Sequence, residues 1–305
     1  MRSCINVYFP QNITIRIHII MFKIKRFLWA SRKTKLPIKS SAIVLDVGSG
    51  HNPHPRADVL LDRFAGAAHR GGTQMVIDRL AVIGDATKLP FKDKSFDFII
   101  ASHILEHMSD PKSFLAELQR VGKAGYIETP NFIGESLVPC IAHCLEIAVI
   151  NNTLRIKKKT APIDNVYVNE LDVLRNDLEW KTLYHNNPQI FHVRYYWNNV
   201  INFQIHNPEQ SCAWVDGLYD ETTPEDFQNP KKNISLTWRS IGSTAYTNWQ
   251  MYLRKKRLNK FDIFSILVCP QCKSELQVDA HKMHCVTCNA SYSKERNINF
   301  ENIIS

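Results

Sequence analysis

The sequence predicts an α/β fold, a doubly wound Rossmann-like sheet with an insertion and a small C-terminal ribbon of four cysteines. Three observations carry that prediction. Short apolar runs recur through residues 41–127 and end at Asp46, Asp62, Gly84-Asp85 and Glu128. The first of them leads into a Gly-x-Gly turn, Gly48-Ser49-Gly50. Two Cys-x-x-Cys pairs, Cys269/Cys272 and Cys285/Cys288, close the chain.

The elements follow in order. Ser41–Val47 is a continuous apolar run before a glycine turn, which reads as a strand buried on both faces of a parallel sheet. Ala57–Leu61, Ala81–Ile83 and Phe96–Ala101 read as the next three strands. Asp110-Pro111 is a helix start, and Phe114, Leu115, Leu118 and Val121 fall on one face of the helix that follows. Gly125–Ile127 opens a fifth strand. Strand and helix in this alternation imply a doubly wound sheet. Residues 131–190 break the rhythm and read as an insertion on the substrate side. It holds a helix over Leu137–Ile150 and a polar stretch over Asn151–Thr160. His192–Trp197 and Val200–His206 flank Asn198-Asn199 and read as a hairpin. Leu236–Trp238 and Met251–Leu253 read as further strands. The predicted division is a leader over 1–39, the α/β domain over 40–258 and the ribbon over 259–305.

The formal net charge of +9 is local. Residues 1–40 hold nine Lys or Arg and no acid; the remaining 265 residues balance to zero, since 38 − 9 = 29 bases meet 29 acids. A basic leader of this kind reads first as a solvated tail, and offers RNA or an anionic membrane surface a point of contact. Arg254-Lys255-Lys256-Arg257 is a second basic knot. A transmembrane helix needs about 20 apolar residues. Ile13–Phe22 is interrupted by Arg16 and His18, and Leu137–Ile150 by His143 and Glu146. No signal-peptide layout is present, and Met21 is an alternative start to Met1. The expected location is the cytoplasm, where the cysteines stay reduced.

The chemistry-bearing residues follow the strands. A strand that runs into Gly-x-Gly lets the backbone approach a ligand closely at the carboxyl edge of the sheet. Asp46 stands two residues before the first glycine. It would repel a pyrophosphate but suits a cofactor with a cationic amine and sulfonium. The third glycine of the dinucleotide fingerprint is also absent, with Pro53 in its place. Asp62 ends the second strand, where a carboxylate can accept both hydroxyls of a ribose. Asp85 follows the third, where it can accept from an adenine amino group.

These residues resemble those of class I S-adenosylmethionine-dependent methyltransferases. Gly84-Asp85-Ala86-Thr87-Lys88-Leu89-Pro90-Phe91 and Ser102-His103-Ile104-Leu105-Glu106-His107 are similar to the type 11 group of small-molecule and general methyltransferases. The resemblance implies that S-adenosylmethionine is the cofactor. Asp46, Gly48 and Gly50 would hold its methionine end and Asp62 its ribose. Asp85 and the Ala86 amide would read adenine, and Ser102 and His103 would line the methyl-donor side. One departure stands out. Only 16 residues separate Asp46 from Asp62, so the first crossover helix is missing or about one turn long.

His103-Ile104-Leu105-Glu106-His107 also fits the zinc-protease pattern H-x-x-E-H. That chemistry needs both histidines on one helix face. The segment directly follows a buried strand and precedes a new helix start, which leaves little room for the required helix. Methyl transfer is an in-line displacement, and a base helps where the acceptor must lose a proton. His107 is the first candidate, then His103 and Glu128; the plainer reading is that all three line the site.

Cys269-x-x-Cys272 and Cys285-x-x-Cys288 are separated by twelve residues. Two such turns on paired strands set four thiolates around one ion, zinc first and iron second. His281 and His284 are near enough to substitute. A closed four-thiolate site is structural and lets a short segment fold around a small core. Ile266-Leu267-Val268-Cys269-Pro270-Gln271-Cys272 resembles the zinc-ribbon activator subunit that partners several tRNA and translation-factor methyltransferases, here fused in cis.

The function expected is methyl transfer from S-adenosylmethionine to an unidentified acceptor. The basic ends allow RNA, and the aromatic residues Tyr195, Tyr196, Trp197 and Trp214 allow a flat small molecule or a glycan, though such aromatics read first as core. The alternative is a non-catalytic binding or scaffold module with a residual cofactor pocket and a ribbon. A nicotinamide-dependent oxidoreductase is disfavoured by Asp46 and the absent third glycine.

Overall fold

The computed structural model describes residues 36–66, 73–163, 177–220, 238–259, 261–294 and 298–303. The elements are β1 (Val44–Val47), β2 (Val59–Asp62), β3 (Leu80–Ile83), β4 (Phe98–Ser102), α1 (Pro111–Val121), β5 (Ala124–Pro130), α2 (Phe132–Leu137), β6 (Leu145–Ile150), β7 (Thr153–Lys158), α3 (Leu178–Asn186), α4 (Pro188–Phe191), β8 (His192–Asn198), β9 (Phe203–Ile205), α5 (Trp214–Asp220), α6 (Trp238–Leu258), β10 (Leu276–Val278), β11 (Lys282–Cys285), β12 (Ser291–Lys294) and β13 (Ile298–Ile303). They form a mixed α/β structure around a ten-stranded sheet of order β10-β11-β12-β13-β3-β2-β1-β4-β5-β8, with a second sheet of order β6-β7-β9.

The central strands are parallel and their residues are buried almost throughout, as strands covered on both faces must be. The stripe Phe114, Leu115, Leu118 and Val121 of α1 joins Leu45, Val47, Ile99 and Ile127 in the main core. Burying each such side chain contributes about 1.5–3 kcal/mol. Asp110 caps α1 by accepting from the Ser113 amide at 3.0 Å, and Pro111 occupies its first position. The strand order reverses between β1 and β4, and the loops after these two strands flank the crevice that such a reversal opens.

The first crossover, residues 48–58, contains no helix, in line with the short spacing of Asp46 and Asp62. Its carbonyls are met instead by α6: Arg254 Nε donates to Ala57 O at 3.0 Å and Arg254 Nη2 to Pro55 O at 3.1 Å. Arg257 Nη2 reaches Asp58 Oδ1 at 2.6 Å. Asp58 is fully buried and also accepts from Arg56 Nη1 and from the Val44 amide. The basic knot at 254–257 is therefore partly an internal clamp, not wholly a solvated patch.

Three expectations are corrected. The helix expected over Leu137–Ile150 is a short α2, a turn and the strand β6. Asn151 and Asn152 take φ of 49° and 54° and close a β6–β7 hairpin, the left-handed pair that such a turn demands. The expected hairpin of His192–Trp197 with Val200–His206 exists only as an isolated Asn198–Val200 bridge. β8 runs antiparallel to β5 in the large sheet, while β9 runs parallel to β7 in the small one. Met251–Leu253, expected as a strand, lies within α6, as does Trp238; Leu236 lies outside the described residues.

The C-terminal strands β10 to β13 continue the sheet. β13 pairs in parallel with β3 through Ile298–Val82 and Asn299–Ile83. Residues 266–268 pair with 90–92: Lys92 N donates to Ile266 O at 2.8 Å and Val268 N to Pro90 O at 3.0 Å. No helix among the described residues is long and apolar enough to cross a membrane. The basic leader, on which contact with RNA or anionic lipid would rest, lies outside the described residues up to Lys35.

Candidate functional site: a carboxylate-edged cavity at the strand reversal

The turn after β1 fixes the site. Gly48 and Gly50 take φ of 71° and 51°, the left-handed region that glycine enters without steric cost. A Cβ on Gly48 would also stand 2.6 Å from Ile104 Cδ1, so the post-β4 loop packs against bare backbone. The Gly50 amide donates to Asp62 Oδ2 at 2.9 Å, and the Phe64 amide donates to Asp62 Oδ1 at 3.1 Å. Asp62 thus ties the ends of β1 and β2 together.

A cavity of about 680 Å³ opens beside this turn. Gly48, Gly50, Asp62, Asp85, Ala86, Ser102, His103 and His107 all line it, together with Thr87, Phe64 and Asp216. A smaller cavity of about 30 Å³ adjoins it and shares Gly48, Ser49, Asn52 and Ser102; Asp46 and Glu128 line this one. Asp46 Oδ2 accepts from the His54 amide at 2.7 Å, which folds the loop over the small cavity. Asp85 Oδ1 accepts from the Thr87 amide and hydroxyl at 2.7 and 2.8 Å. The ten residues expected to hold cofactor or to act on substrate thus gather at one strand edge.

His103 sits between two buried carboxylates. Its Nδ1 lies 3.2 Å from Glu106 Oε1 and its Nε2 3.7 Å from Glu128 Oε1. Its backbone is left-handed, φ 56°, and its amide donates to Glu128 O at 2.7 Å. Burial pushes both glutamates up; the hydrogen bonds and charge of His103 outweigh it and hold them below the ordinary carboxylate range. Tyr126 also donates to Glu128, and Arg194 Nε stands 3.4 Å from it. The His192 ring meets His103 edge-on at 5.5 Å, and burial pushes the His192 pKa down to about 4.

His107 belongs to a second knot. Its Nδ1 lies 2.9 Å from Ala142 O and its ring 4.7 Å from that of His143. Burial lowers its pKa despite the neighbouring Glu106. His143 Nδ1 is 2.5 Å from Glu135 Oε2, and Lys159 Nζ is 2.6 Å from Glu135 Oε1. Burial opposes charge on His143, but contacts with Cys140 and Glu135 push its pKa up to about 10. The sequence reading missed Glu135 and His143 as members of the site's surroundings. Glu106 lay inside a motif already noticed. His143 and Glu135 come from the segment misread as helix, and no local spacing marks them. Thr87 was legible in principle, two residues after Asp85.

The sulfurs of Cys269, Cys272, Cys285 and Cys288 lie within 4.8 Å of one another. Cys269–Cys288 and Cys272–Cys285 are separated by 3.5 and 3.3 Å. Neither pair is at disulfide length, and a tetrahedral thiolate site with metal–sulfur bonds of about 2.3 Å has edges of about 3.8 Å. The two turns repeat each other: Lys273 N donates to Cys269 O and Asn289 N to Cys285 O, and Lys273 and Asn289 both have φ near +60° (61° and 60°).

Residues 59–127 match a family model described as a methyltransferase domain. That stretch holds Asp62, Asp85, Ala86, Ser102, His103 and His107. A demethylmenaquinone methyltransferase of Renibacterium salmoninarum is 41% identical over 88 residues, which cover 27% of this chain and 37% of the relative. The ajmaline N-methyltransferase of Rauvolfia serpentina is 37% identical over 43 residues, 14% of this chain and 15% of that one. The chain thus spans well under half the length of these curated relatives. Among solved structures, an S-adenosylmethionine-dependent methyltransferase of Methanosarcina mazei is similar at a TM-score of 0.25 and 22% identity, covering 31% of this chain and 55% of that chain. A chain of the complex between the Haloferax volcanii Trm112 methyltransferase activator and a methyltransferase is similar at a TM-score of 0.32 and 15% identity, covering 57% of this chain and 90% of its own.

Proposed function

We propose that the chain is an enzyme that transfers the methyl group of S-adenosylmethionine to an acceptor bearing a hydroxyl or amine. One observation carries the reading: a left-handed glycine turn and two aspartates from the ends of consecutive strands line a single cavity, within and beside a segment that matches a methyltransferase domain. Donor chemistry and cavity agree. The bare backbone of Gly48 and Gly50 admits close approach. Asp62 stands on the cavity wall with its carboxylate oriented by the Gly50 and Phe64 amides, and a carboxylate at a strand end suits vicinal hydroxyls. Asp85 and the Ala86 amide would contact the base, and Asp46 and Glu128 would draw the cationic amino acid end.

Bound there, S-adenosylmethionine supplies a methyl group on a positively charged sulfur. The protein's own part is to orient the acceptor, exclude water and take a proton. Of the three candidate bases, we assign the proton to His103. It lines the large cavity, and the glutamates on either side of its ring fix its orientation and stabilise the charge it acquires. Glu128 is occupied by Tyr126, Arg194 and His103, and its lowered pKa makes it a weak base. His107 is fixed by Ala142. The four cysteines hold a structural zinc ion in this reading, a closed site without an open position.

Titration calorimetry with S-adenosylmethionine is the test. Saturable one-to-one binding to the folded protein is expected, weakened at least tenfold in Asp62→Ala. No heat of binding to the folded chain ends the proposal. Binding without turnover across hydroxyl and amine acceptors would favour the non-catalytic module.

A further inference from the structure

The segment 103–107 holds a second arrangement that the methyl-transfer chemistry does not use. Glu106, His107 and His143 each bring one ligand atom to within 4.8 Å of the others. The first two come from the single 3-10 turn Leu105–His107, and the third from the loop before β6. The pattern H-x-x-E-H is thus not read as a unit. His103 turns to Glu106 Oε1 and Glu128, while Glu106 and His107 pair with a histidine 36 residues on, since 143 − 107 = 36.

We propose that Glu106, His107 and His143 form a binding site for a first-row divalent transition metal ion, with zinc as its usual occupant. Two observations independent of the clustering support it. Glu106 is 1% exposed, and its Oε2 has no hydrogen-bond partner. A buried carboxylate oxygen left unmatched costs free energy that only a cation or donor at that point offsets. The two imidazoles are also oriented as metal ligands are. Ala142 O can only accept, so His107 Nδ1 carries the proton; the Glu135 carboxylate likewise accepts from His143 Nδ1. With Nδ1 donating in each ring, Nε2 is the nitrogen that would coordinate, the ion displacing the second proton of His143, and the His143–Glu135 pair is the carboxylate–histidine support that fixes ligand geometry. Two imidazoles and one carboxylate suit zinc or its neighbours rather than calcium or magnesium. Three protein ligands leave a position open, and His107, one of the three, also lines the large cavity, so the site adjoins that cavity. The assignment stands apart from the cofactor reading, because it uses no cofactor contact.

The test is zinc stoichiometry of the full chain by mass spectrometry after gel filtration, beside His143→Gln and Glu135→Gln. The wild type is expected to hold one equivalent more than His143→Gln. Glu135→Gln should keep the ligands but bind that equivalent tenfold to a hundredfold more weakly. Equal zinc content in wild type and a folded His143→Gln overturns the site. X-ray absorption of the wild type with cobalt(II) gives a reading that needs no variant. Imidazole scattering from a second equivalent supports the site; sulfur-only coordination at saturation overturns it.

Discussion

His103 holds a left-handed backbone, φ 56°, that a residue with a Cβ adopts at some cost, of order 1 kcal/mol or more. The surroundings enforce it through the amide bond to Glu128 O and the two flanking carboxylates. His103→Asn tolerates that φ and removes the proposed base. It is expected to lower kcat by about 10²–10⁴ while leaving the S-adenosylmethionine dissociation constant within a few-fold; steady-state kinetics beside calorimetry check this, and an unchanged kcat would remove His103 from the chemistry. His192 behaves differently. Burial, and then the charge of His103, hold its pKa at about 4 against the opposing Glu128 and Glu106, while Tyr184 covers its other side. Its folded value lies below the unfolded one of about 6.5, so the unfolded chain binds the extra proton first. The stability this neutral histidine contributes is present above pH 6.5 and is lost as pH falls toward 4, on the order of 3 kcal/mol. Urea midpoints from pH 4.5 to 7 should rise with pH in the wild type and less steeply in His192→Gln; parallel slopes would contradict the assignment.

At the scale of elements, the strands β1 to β5 and α1 were legible because each ends on a local signal: Asp46-x-Gly48, Asp62, Gly84-Asp85, and the Asp110-Pro111 cap. The carboxylate set of the cavity was legible for the same reason, since parallel strands deliver their carboxyl ends to one edge. What followed residue 131 was not. Leu145–Ala148 is buried on alternate residues, a strand's period, but His143 before it and Glu146 within it imitate a helix's polar face. Asn151-Asn152 was the turn signal that could have corrected it. β8 and β9 went to different sheets, against the expectation that neighbours in sequence pair. Parts of α6 were read as short strands because Trp238 and Tyr252 belong to residue types that favour sheets, while its anchor to the first crossover joins residues 199 apart. That anchor is testable. Asp58 is fully buried and answers Arg56, Arg257 and the Val44 amide. Asp58→Ala leaves buried guanidinium charge unmatched and should cost about 3–5 kcal/mol by chemical denaturation. A loss below 1 kcal/mol would mean that α6 is not clamped there.

At the scale of the molecule, the C-terminal cysteine segment packs on the strip of chain that follows the cavity lining. Residues 266–268 are hydrogen-bonded to residues 90–92, and Lys273 Nζ reaches Leu89 O at 3.2 Å and Glu117 at 2.9 Å. Asp85, Ala86 and Thr87, on the rim of the cavity, lead directly into that strip. Stripping the four-cysteine site with a strong chelator, or Cys285→Ser, is therefore expected to lower the melting temperature by several degrees. It should also weaken S-adenosylmethionine binding through the Asp85 side. Scanning calorimetry with and without the cofactor reads both, and an unaltered melting profile in the metal-stripped chain would show that the ribbon adds nothing to the body. The parallel pairing of β13 with β3 has a consequence for how the chain emerges from the ribosome. Ile298 meets Val82 across 216 positions of sequence, so the outer flank of β3 stands bare while everything between is synthesised. Until that late partner arrives, a nascent chain offers an open, apolar strand flank to any passing polypeptide. Chaperone occupancy during translation should accordingly persist until β13 has cleared the exit tunnel.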